Sequence, residues 1–444
     1  MSSEWTASTL GECADFFSGG TPRKSIPEYW VGSIPWISGK DLKSFYLADA
    51  EDHISREGAD AGSRLIPAGT ILLLVRGMTL HNNVPVAVVT RESAFNQDIK
   101  AIRAKPHVDQ EFLAHWLVSQ RQTLLSTVHA AGHGTGVLAT DRLKDLALPL
   151  PSLDEQKRIA NVFTQIEDKI EQNRRTGRKL EELARAVFKA WFVDFEPVKA
   201  KAAGATAFPG MPPETFATVP TRLVDSELGP VPEGWENCWY RVAELERAST
   251  LLIGDGYRAK RTELAETGVP FVRAGNVNGT IITDGAELLG WPAIAKAGVK
   301  RSQVWDTVFT SKGTVGRLGL VTPATGDLVY APQVCFWRTL NRETLSPFLL
   351  HLWMKSDSFT AQWMSVKGQT DMADFVSLSD QRAMTMLVAP PLVQRDFDSI
   401  ARPMIEHIAS SAAESAKLAT LRDYLLPRLL SGRVRVSGRV DGNL

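Results

Sequence analysis

The chain has 444 residues, of which 44% are hydrophobic and 23% charged, and its 50 basic and 50 acidic residues cancel to a net charge of zero. This is the composition of a folded globular protein, which excludes a disordered or collagen-like chain, and the length predicts two large domains. No apolar run approaches the roughly 18 residues that a membrane helix needs, and the N-terminal sequence MSSEWTASTLGE lacks the marks of a secretory signal. We therefore expect a cytoplasmic protein without a membrane span.

The cysteines and the charge distribution exclude further classes. Cys13, Cys238 and Cys335 lie far apart without a CxxC motif, which predicts reduced, packed thiols and no zinc site. Because the charges balance and no segment is strongly basic, there is no global positive field of the kind typical of nucleic-acid binders. Any binding of DNA would depend on local basic clusters or on a partner that supplies phosphate contacts.

An internal repeat is the most informative feature of the sequence. Residues Gly19 to Leu42 align without a gap with Gly254 to Val277, at an offset of 235. Further along, GTILLLVRG resembles DTVFTSKG, and FLAHWLVS resembles FLLHLWMKS. Residues Gln156 to Phe192 align ungapped with Gln394 to Leu430 at an offset of 238. The same order of elements in both halves predicts a globular domain, a long helix, a second globular domain and a second long helix.

The predicted fold class is α+β, with two repeated globular domains separated by two long helices that form an antiparallel coiled coil. The intervening segment has seven prolines in 37 residues, which predicts an extended, semi-rigid linker. The predicted organisation is a first globular domain at 1–151, a central helix at 152–195, the linker at 196–232, a second globular domain at 233–390, a distal helix at 391–431 and a tail at 432–444.

The two long helices carry a heptad pattern. Ser152-Leu-Asp-Glu155 is a capping box that predicts the start of the first helix. Apolar residues recur at heptad spacing with charges between them, as in a coiled-coil seam. An alternative is that each helix is an ordinary amphipathic helix packed on its own domain. The residues expected to form the helix-pair interface are Ile159, Phe163, Ile166, Ile170, Leu180, Val187 and Trp191 with Phe397, Met404, Ile408, Leu418, Leu425 and Leu429.

Several blocks of the sequence resemble one known family. LPLPSLDEQKRIANVF, FKAWFVDFEPV, ELGPVPEGWE, APPLVQRDF and LRDYLLPRLLSGRVRV together resemble the DNA-specificity subunits of type I restriction–modification systems, over nearly the whole chain. The resemblance implies two target-recognition domains that each read one part of a bipartite, asymmetric site in double-stranded DNA. It also implies helices that set the spacing and dock two methyltransferase subunits, and motor–nuclease subunits that join this core. S-adenosylmethionine, ATP and Mg would then belong to the partner subunits, and this chain would need no cofactor of its own.

Candidate DNA-contacting residues are chosen by their chemistry and by the repeat. Basic side chains in flexible loops suit phosphates and guanine edges, and a glycine beside them allows close backbone approach. Pairs at corresponding positions of the two halves are the stronger candidates. The candidates are Arg23, Lys24, Lys40, Arg76 and His133 in the first domain and Arg258, Lys260, Arg261, Arg273, Lys312 and Gln369 in the second. The alternative for each is a solvated surface group.

Catalytic signatures fail when they are tested in turn. The Asn/Asp-Pro-Pro-aromatic motif of adenine methyltransferases, the GxxxxGK[ST] phosphate loop and the GxSxG elbow do not occur in the sequence. His129 and His133 have the spacing of a metal pair but no HExxH glutamate between them. We therefore expect no catalytic residue, no metal and a non-catalytic subunit. Two alternatives stay open, a two-lobed scaffold that binds proteins and a metal-dependent nuclease with a dispersed site.

Overall fold

The computed structural model describes residues 5–130, 135–369 and 374–436. Its packing divides the chain into two compact units, Met1–Asn173 with Glu414–Leu444, and Arg174–Ala413. Both units combine helices and strands, so the predicted α+β class is confirmed. The division does not fall at the predicted domain ends, because each of the two long helices contributes residues to both units.

The first unit contains short helices, a set of strands and the beginning of a long helix. Its short helices are α1 (Leu10–Cys13), α2 (Arg56–Gly62), α3 (Gln110–Ser119), α4 (Arg121–Ser126) and α5 (Thr140–Lys144), with 3-10 turns at Pro27–Trp30 and Met78–His81. Its strands are β1 (Ala14–Ser18), β2 (Ile34–Ile37), β3 (Tyr46–Leu47), β4 (Asp52–Ile54), β5 (Leu65–Ile66), β6 (Ile71–Leu74), β7 (Arg76–Gly77), β8 (Val86–Val89), β9 (Ser93–Phe95), β10 (Ile99–Ala104), β11 (His129–Ala130) and β12 (Gly136–Val137). The long helix α6 (Leu153–Phe192) follows.

Two sheets form the frame of the first unit. The larger sheet has the strand order β1-β10-β6-β8-β3, and the second has the order β4-β2-β9-β5, in which β2 and β9 are parallel. Strand β6 reads Ile-Leu-Leu-Leu and is buried along its whole length, which explains why it is a continuous apolar run without polar alternation. A small sheet, β11-β12-β7, joins a hairpin to the end of this region.

The second unit has the same kinds of element. Its short helices are α7 (Glu196–Ala202), α8 (Pro213–Thr218), α9 (Val242–Arg247), α10 (Trp291–Ala297), α11 (Pro347–Met354), α12 (Asp357–Val366) and α13 (Leu378–Ala383), with 3-10 turns at Arg261–Glu263, Ala274–Asn276 and Gly298–Lys300. Its strands are β13 (Leu223–Val224), β14 (Val231–Pro232), β15 (Trp239–Arg241), β16 (Leu251–Gly254), β17 (Leu264–Ala265), β18 (Val269–Val272), β19 (Val277–Asn278), β20 (Thr280–Ile281), β21 (Leu288–Leu289), β22 (Thr307–Thr310), β23 (Leu318–Leu320), β24 (Val329–Tyr330), β25 (Val334–Thr339), β26 (Gly368–Gln369), β27 (Asp374–Phe375) and β28 (Thr385–Leu387). The second long helix, α14 (Pro391–Leu429), ends the described secondary structure.

The strand pairings of the two units repeat at the offset found in the sequence. The main sheet of the second unit has the order β16-β25-β22-β23, and β18 pairs in parallel with β24 as β2 does with β9. Trp36 lies opposite Ala94 in the first unit, and Phe271 lies opposite Val329 in the second, each 235 positions further on. The internal repeat is therefore a repeat of hydrogen-bonded topology.

The sequence alignment placed Gly19 over Gly254, but the backbone packing of the glycine loop after β1 gives Gly19 a different structural counterpart. A Cβ on Gly19 would lie 2.2 Å from the carbonyl oxygen of Phe95, and the same close approach occurs at Gly256, 2.1 Å from that of Ala331. The structural counterpart of Gly19 is thus Gly256, and the second unit has two fewer residues between this glycine and the next strand, since Gly256 lies 13 positions before Val269 and Gly19 lies 15 before Ile34.

The segment 196–232 is not the extended linker that its composition predicts. It forms α7, α8 and the β13–β14 hairpin, and Met211, Phe216 and Val231 are buried in the core of the second unit. The Lys201 ammonium donates to the carbonyl oxygens of Phe216 and Val219 at the end of α8. Two of the prolines start α7 and α8, where the missing N–H costs nothing, so a proline-rich composition here favours helix starts.

The long helices have 40 residues (α6) and 39 residues (α14), so each is slightly shorter than its predicted range of 152–195 or 391–431. The start of α6 is capped as expected, since the backbone N–H of Glu155 donates to Ser152 Oγ over 3.4 Å. The last turn of α14 brings Leu426 and Leu429 into the core of the first unit, alongside Phe163 of α6. Burial of each leucine side chain stabilises the unit by roughly 1.5–3 kcal/mol. The end of α14 is therefore part of the hydrophobic core of the first unit.

Candidate nucleic-acid interface

In the first unit a basic strand end lies against the stem of a hairpin. Arg76 is exposed in β7 and pairs with Val137 of β12, and the carbonyl oxygen of Asp98 accepts hydrogen bonds from the N–H groups of Val75 and Arg76, at 2.8 and 3.2 Å. Gly77 follows with a φ of 153°, a conformation that favours glycine. The Arg76 guanidinium is therefore presented from a fixed backbone.

The glycine loop after β1 is attached to the same region. The backbone N–H of Gly20 donates to the carbonyl oxygen of Phe95 over 3.0 Å, and Thr21 Oγ1 donates to Gln97 Oε1 over 2.6 Å. Arg23 and Lys24 follow this loop, and both are exposed. The loop containing Gln97 therefore lies between the glycine loop and the Arg76 strand end.

The second unit repeats this arrangement with different side chains. Lys312 is exposed and forms a β-bridge with Phe375, and the carbonyl oxygen of Gln333 accepts the N–H of Ser311 over 2.9 Å. The backbone N–H of Val376 donates to the carbonyl oxygen of Ser311, as that of Leu138 does to Val75 in the first unit. The cations predicted after the corresponding glycine, Arg258, Lys260 and Arg261, are all exposed.

Two of the predicted DNA contacts have charged partners within the protein. Lys40 lies 3.1 Å from Glu51 and 3.0 Å from Asp52, and hydrogen bonds to these carboxylates, that to Asp52 first, raise the pKa of the Lys40 ammonium. Arg273 lies 2.5 Å from a carboxylate oxygen of Glu287. Each cation would have to exchange a carboxylate for a phosphate, so these two are weaker candidates than Arg76 and Lys312.

Two predicted residues remain, His133 and Gln369. His133 lies outside the described residues. The backbone of Gln369 pairs with Asp374 in the β26–β27 hairpin, which is the counterpart of β11–β12.

Sequence reasoning missed Asp98 and Gln333, which occupy equivalent places beside the basic strand ends. Each follows the parallel strand of the second sheet by three residues, after Phe95 in one unit and Tyr330 in the other. The 235-residue offset between them was available in the sequence as a signal. The contacts of Asp98 with Arg76 and of Gln333 with Ser311 were not, because they are long-range backbone hydrogen bonds.

The predicted helix-pair residues are all buried or half-buried. Those at the helix ends also belong to the unit cores: Ile159, Phe163, Leu425 and Leu429 to the first, and Val187, Trp191, Phe397 and Met404 to the second. The others are Ile166, Ile170, Leu180, Ile408 and Leu418.

Within the first unit, polar contacts join segments of the two long helices. Glu167 Oε1 accepts from Arg422 over 2.6 Å, and Asn173 Nδ2 donates to Glu414 over 2.7 Å. The residue number on α14 falls as that on α6 rises, so these segments are antiparallel.

Two titratable groups with large pKa shifts lie beside the long helices. Burial lowers the pKa of His115 to about 3 and raises that of Asp398 to about 6. His115 lies beside Thr164 of α6, and Asp398 accepts a hydrogen bond from Ser346 over 2.5 Å at the start of α14. Both groups therefore belong to the packing of the long helices.

In residues 5–130, 135–369 and 374–436, no group of three or more His, Cys, Asp or Glu side chains is arranged to hold a metal ion. No helix in these same ranges is both long enough and apolar enough to span a bilayer.

Comparison with known proteins gives matches to one kind of protein. Residues 2–182 match the family model described as the type I restriction modification DNA specificity domain. The chain is 27% identical to the type I restriction enzyme MjaIX specificity subunit of Methanocaldococcus jannaschii, over 98% of this chain and 94% of that one. It is 32% identical over 162 residues to the EcoR124I/EcoR124II specificity subunit of Escherichia coli, covering 36% of this chain and 40% of that one. The crystal structure of a type I restriction–modification S subunit from M. genitalium shares the fold, with a TM-score of 0.55 at 15% identity, covering 99% of this chain and 98% of that one.

These findings define a class, the restriction–modification proteins that recognise DNA. Residues 2–182 match the specificity domain of type I restriction–modification systems, and the chain is similar over nearly its whole length to a type I specificity subunit.

Proposed function

We propose that each globular domain of this specificity subunit reads one half of a bipartite, asymmetric site in double-stranded DNA. The observation that carries this proposal is the repeated arrangement of glycine loop, basic strand end and hairpin stem, which presents Arg76 in one unit and Lys312 in the other. Phosphate contacts position a protein on DNA, whereas the side chains that reach base edges select the sequence. A repeated frame with different side chains suits two different half-sites.

The long helices would set the distance between the half-sites. A helix of about 40 residues is roughly 60 Å long, which corresponds to about 18 base pairs at 3.4 Å each as an upper limit. The antiparallel contacts of Glu167 with Arg422 and of Asn173 with Glu414 support pairing of the two helices as one rod. We propose that this rod also docks two methyltransferase subunits and that motor–nuclease subunits join the assembly.

The chemistry would belong to those partners. The chain has a net charge of zero, so a stable DNA complex needs phosphate contacts from elsewhere. We assign no catalytic residue to this chain, and we assign S-adenosylmethionine, ATP and Mg to the partner subunits.

The test is to express the chain with its cognate methyltransferase subunit and to map modified bases on genomic DNA. The proposal predicts one two-part motif with a fixed gap. Arg76→Ala and Lys312→Ala each remove a phosphate contact, so each should weaken modification at every site about equally and reduce its salt dependence. Arg56→Ala is the control, because Arg56 is exposed but paired with Glu92.

Two outcomes would favour the alternatives. A specific footprint that is missing even with the methyltransferase present would favour a protein-binding scaffold. Metal-dependent nicking of DNA by the isolated chain would favour a nuclease.

A further inference from the structure

The loop between β24 and β25 brings a glutamine to the basic strand end of the second unit. Gln333 is the last residue of this loop, and its carbonyl oxygen accepts hydrogen bonds from Ser311, at 2.9 Å from the backbone N–H and 3.4 Å from the hydroxyl. Ser311 is buried and directly precedes the exposed Lys312. The backbone of Gln333 is therefore fixed beside a cation, while its side chain is partly exposed.

The oxygen of the Gln333 side-chain amide has no hydrogen-bond partner within the described protein. Among the described residues, Oε1 of Gln333 is one of the few buried side-chain polar atoms without a hydrogen-bond partner. An unpaired buried acceptor is unfavourable, and such a group calls for an explanation. Rotation of this amide towards a ligand breaks no protein hydrogen bond at the oxygen.

We propose that Gln333 reads an adenine in the half-site that the second unit binds. A glutamine amide offers one donor and one acceptor in a plane, which match N7 and the N6 amino group of adenine in the major groove. Lys312 beside it can hold the adjacent phosphate and so fix the register of the contact. This inference rests on the proposed function, and it names one base and one residue within it.

The first unit provides an internal comparison. Asp98 has the place of Gln333, because its carbonyl oxygen accepts from the N–H of Val75 as that of Gln333 does from Ser311. An ionised carboxylate accepts hydrogen bonds but cannot donate, and Oδ2 of Asp98 already accepts from Asn96 over 3.2 Å. The first unit therefore lacks the same donor–acceptor pair at this place, and the adenine contact is specific to the second half-site.

The test is the sequence preference of the chain assembled with its methyltransferase subunits. Gln333→Ala should reduce the preference for adenine at one position of one half-site by about tenfold to a hundredfold. The other half-site and the gap should be unchanged. Gln333→Glu, which can only accept, should shift that position towards cytosine, whose amino group is a donor. Gln303→Ala is the matched control, because Gln303 is exposed in the same unit but precedes β22, whereas Lys312 follows it.

The outcomes distinguish this inference from the proposed function. A Gln333→Ala complex that modifies the unaltered motif with unaltered preference at every position overturns the adenine contact and leaves the two-part reading intact. A loss of base preference in both half-sites also overturns the adenine contact. So does an equal loss of preference with Gln303→Ala. If the unaltered chain directs modification to no two-part sequence, the proposed function fails, and the adenine contact with it.

Discussion

Arg422 of α14 donates to Glu167 of α6 over 2.6 Å, and the two side chains are only 15% and 5% exposed. Burial opposes the charge of Arg422, but Glu167 and Asp423 outweigh it, so the pKa of the guanidinium stays above its ordinary value. The pair is a buried ionic contact between the two long helices. Removing one partner of a buried ion pair costs more stability than removing one partner of an exposed pair.

Glu167→Ala should lower the stability of the first unit by about 3 kcal/mol, because it leaves the Arg422 charge buried with less compensation. The double variant Glu167→Ala/Arg422→Ala should lose less than the sum of the two single variants, as coupled residues do. Chemical denaturation of the purified chain measures both. The control is Lys169→Ala, which removes an exposed pair with Glu414 at 3.4 Å and should cost less than about 1 kcal/mol. Equal losses for the two single variants Glu167→Ala and Lys169→Ala would show that the Glu167–Arg422 pair is not buried in solution.

Gln156 joins α6 to the first globular domain. Its Oε1 accepts the backbone N–H of Asp109 over 2.8 Å, and its Nε2 donates to the carbonyl oxygen of Pro151 over 2.9 Å. Gln156→Glu cannot donate, so it should destabilise the unit by about 1–3 kcal/mol, nearly as much as Gln156→Ala. Hydrogen exchange at the Asp109 amide should accelerate strongly in Gln156→Ala and less in Gln156→Glu, which keeps an acceptor for this N–H. Gln165→Ala, at an exposed position of the same helix, should leave that amide protected; acceleration there would point to general loosening of α6.

Asp398 makes stability depend on pH. Burial raises its pKa from the ordinary 3.8 to about 6, so the folded chain binds more protons than the unfolded chain between these values. The stabilisation from the protonated Asp398 carboxyl is complete below pH 3.8 and is lost as the pH rises through about 6. Asp398→Asn should therefore gain stability relative to the unaltered chain at pH 7–8 but not near pH 4, in thermal unfolding followed across pH. The exposed Asp284→Asn should show no such crossing, and a flat difference for Asp398→Asn would contradict the burial of this carboxyl.

The rod proposal predicts a change in gap length. Removing residues 174–180 from α6 and 407–413 from α14 deletes one heptad from each helix. The rod should shorten by about 10 Å, or about three base pairs, because the rise is 1.5 Å per residue. Mapping of modified bases should return the same two half-sites with a shorter gap. An unchanged gap would contradict the role of the helices as a spacer, and deletion from α6 alone is the control that should break the pairing.

The sequence predicted the parts of this chain that depend on local patterns. The 235-residue offset predicted the repeat because the registers of Trp36 with Ala94 and Phe271 with Val329 need no gap. Heptad spacing selected positions such as Phe163 and Phe397, which are fully buried. The family blocks predicted a resemblance to type I specificity subunits, and the comparisons confirm this resemblance.

What the sequence could not provide depends on tertiary contacts. Prolines in 196–232 indicated an extended linker, but Pro197 and Pro213 start helices whose apolar faces are covered by the second unit. The pairing of Lys40 with two carboxylates requires the fold, since Glu51 and Asp52 follow it by more than ten residues. Gln333 is a candidate because its amide oxygen is unpaired and its carbonyl oxygen accepts from Ser311, the residue before Lys312.

The most direct test of modular reading is to exchange residues 1–151 for those of a related specificity subunit and to map the modified bases made with the same methyltransferase. The account predicts that one half of the motif changes while the other half and the gap stay as they were. A change in both halves would contradict the assignment of one half-site to each globular domain.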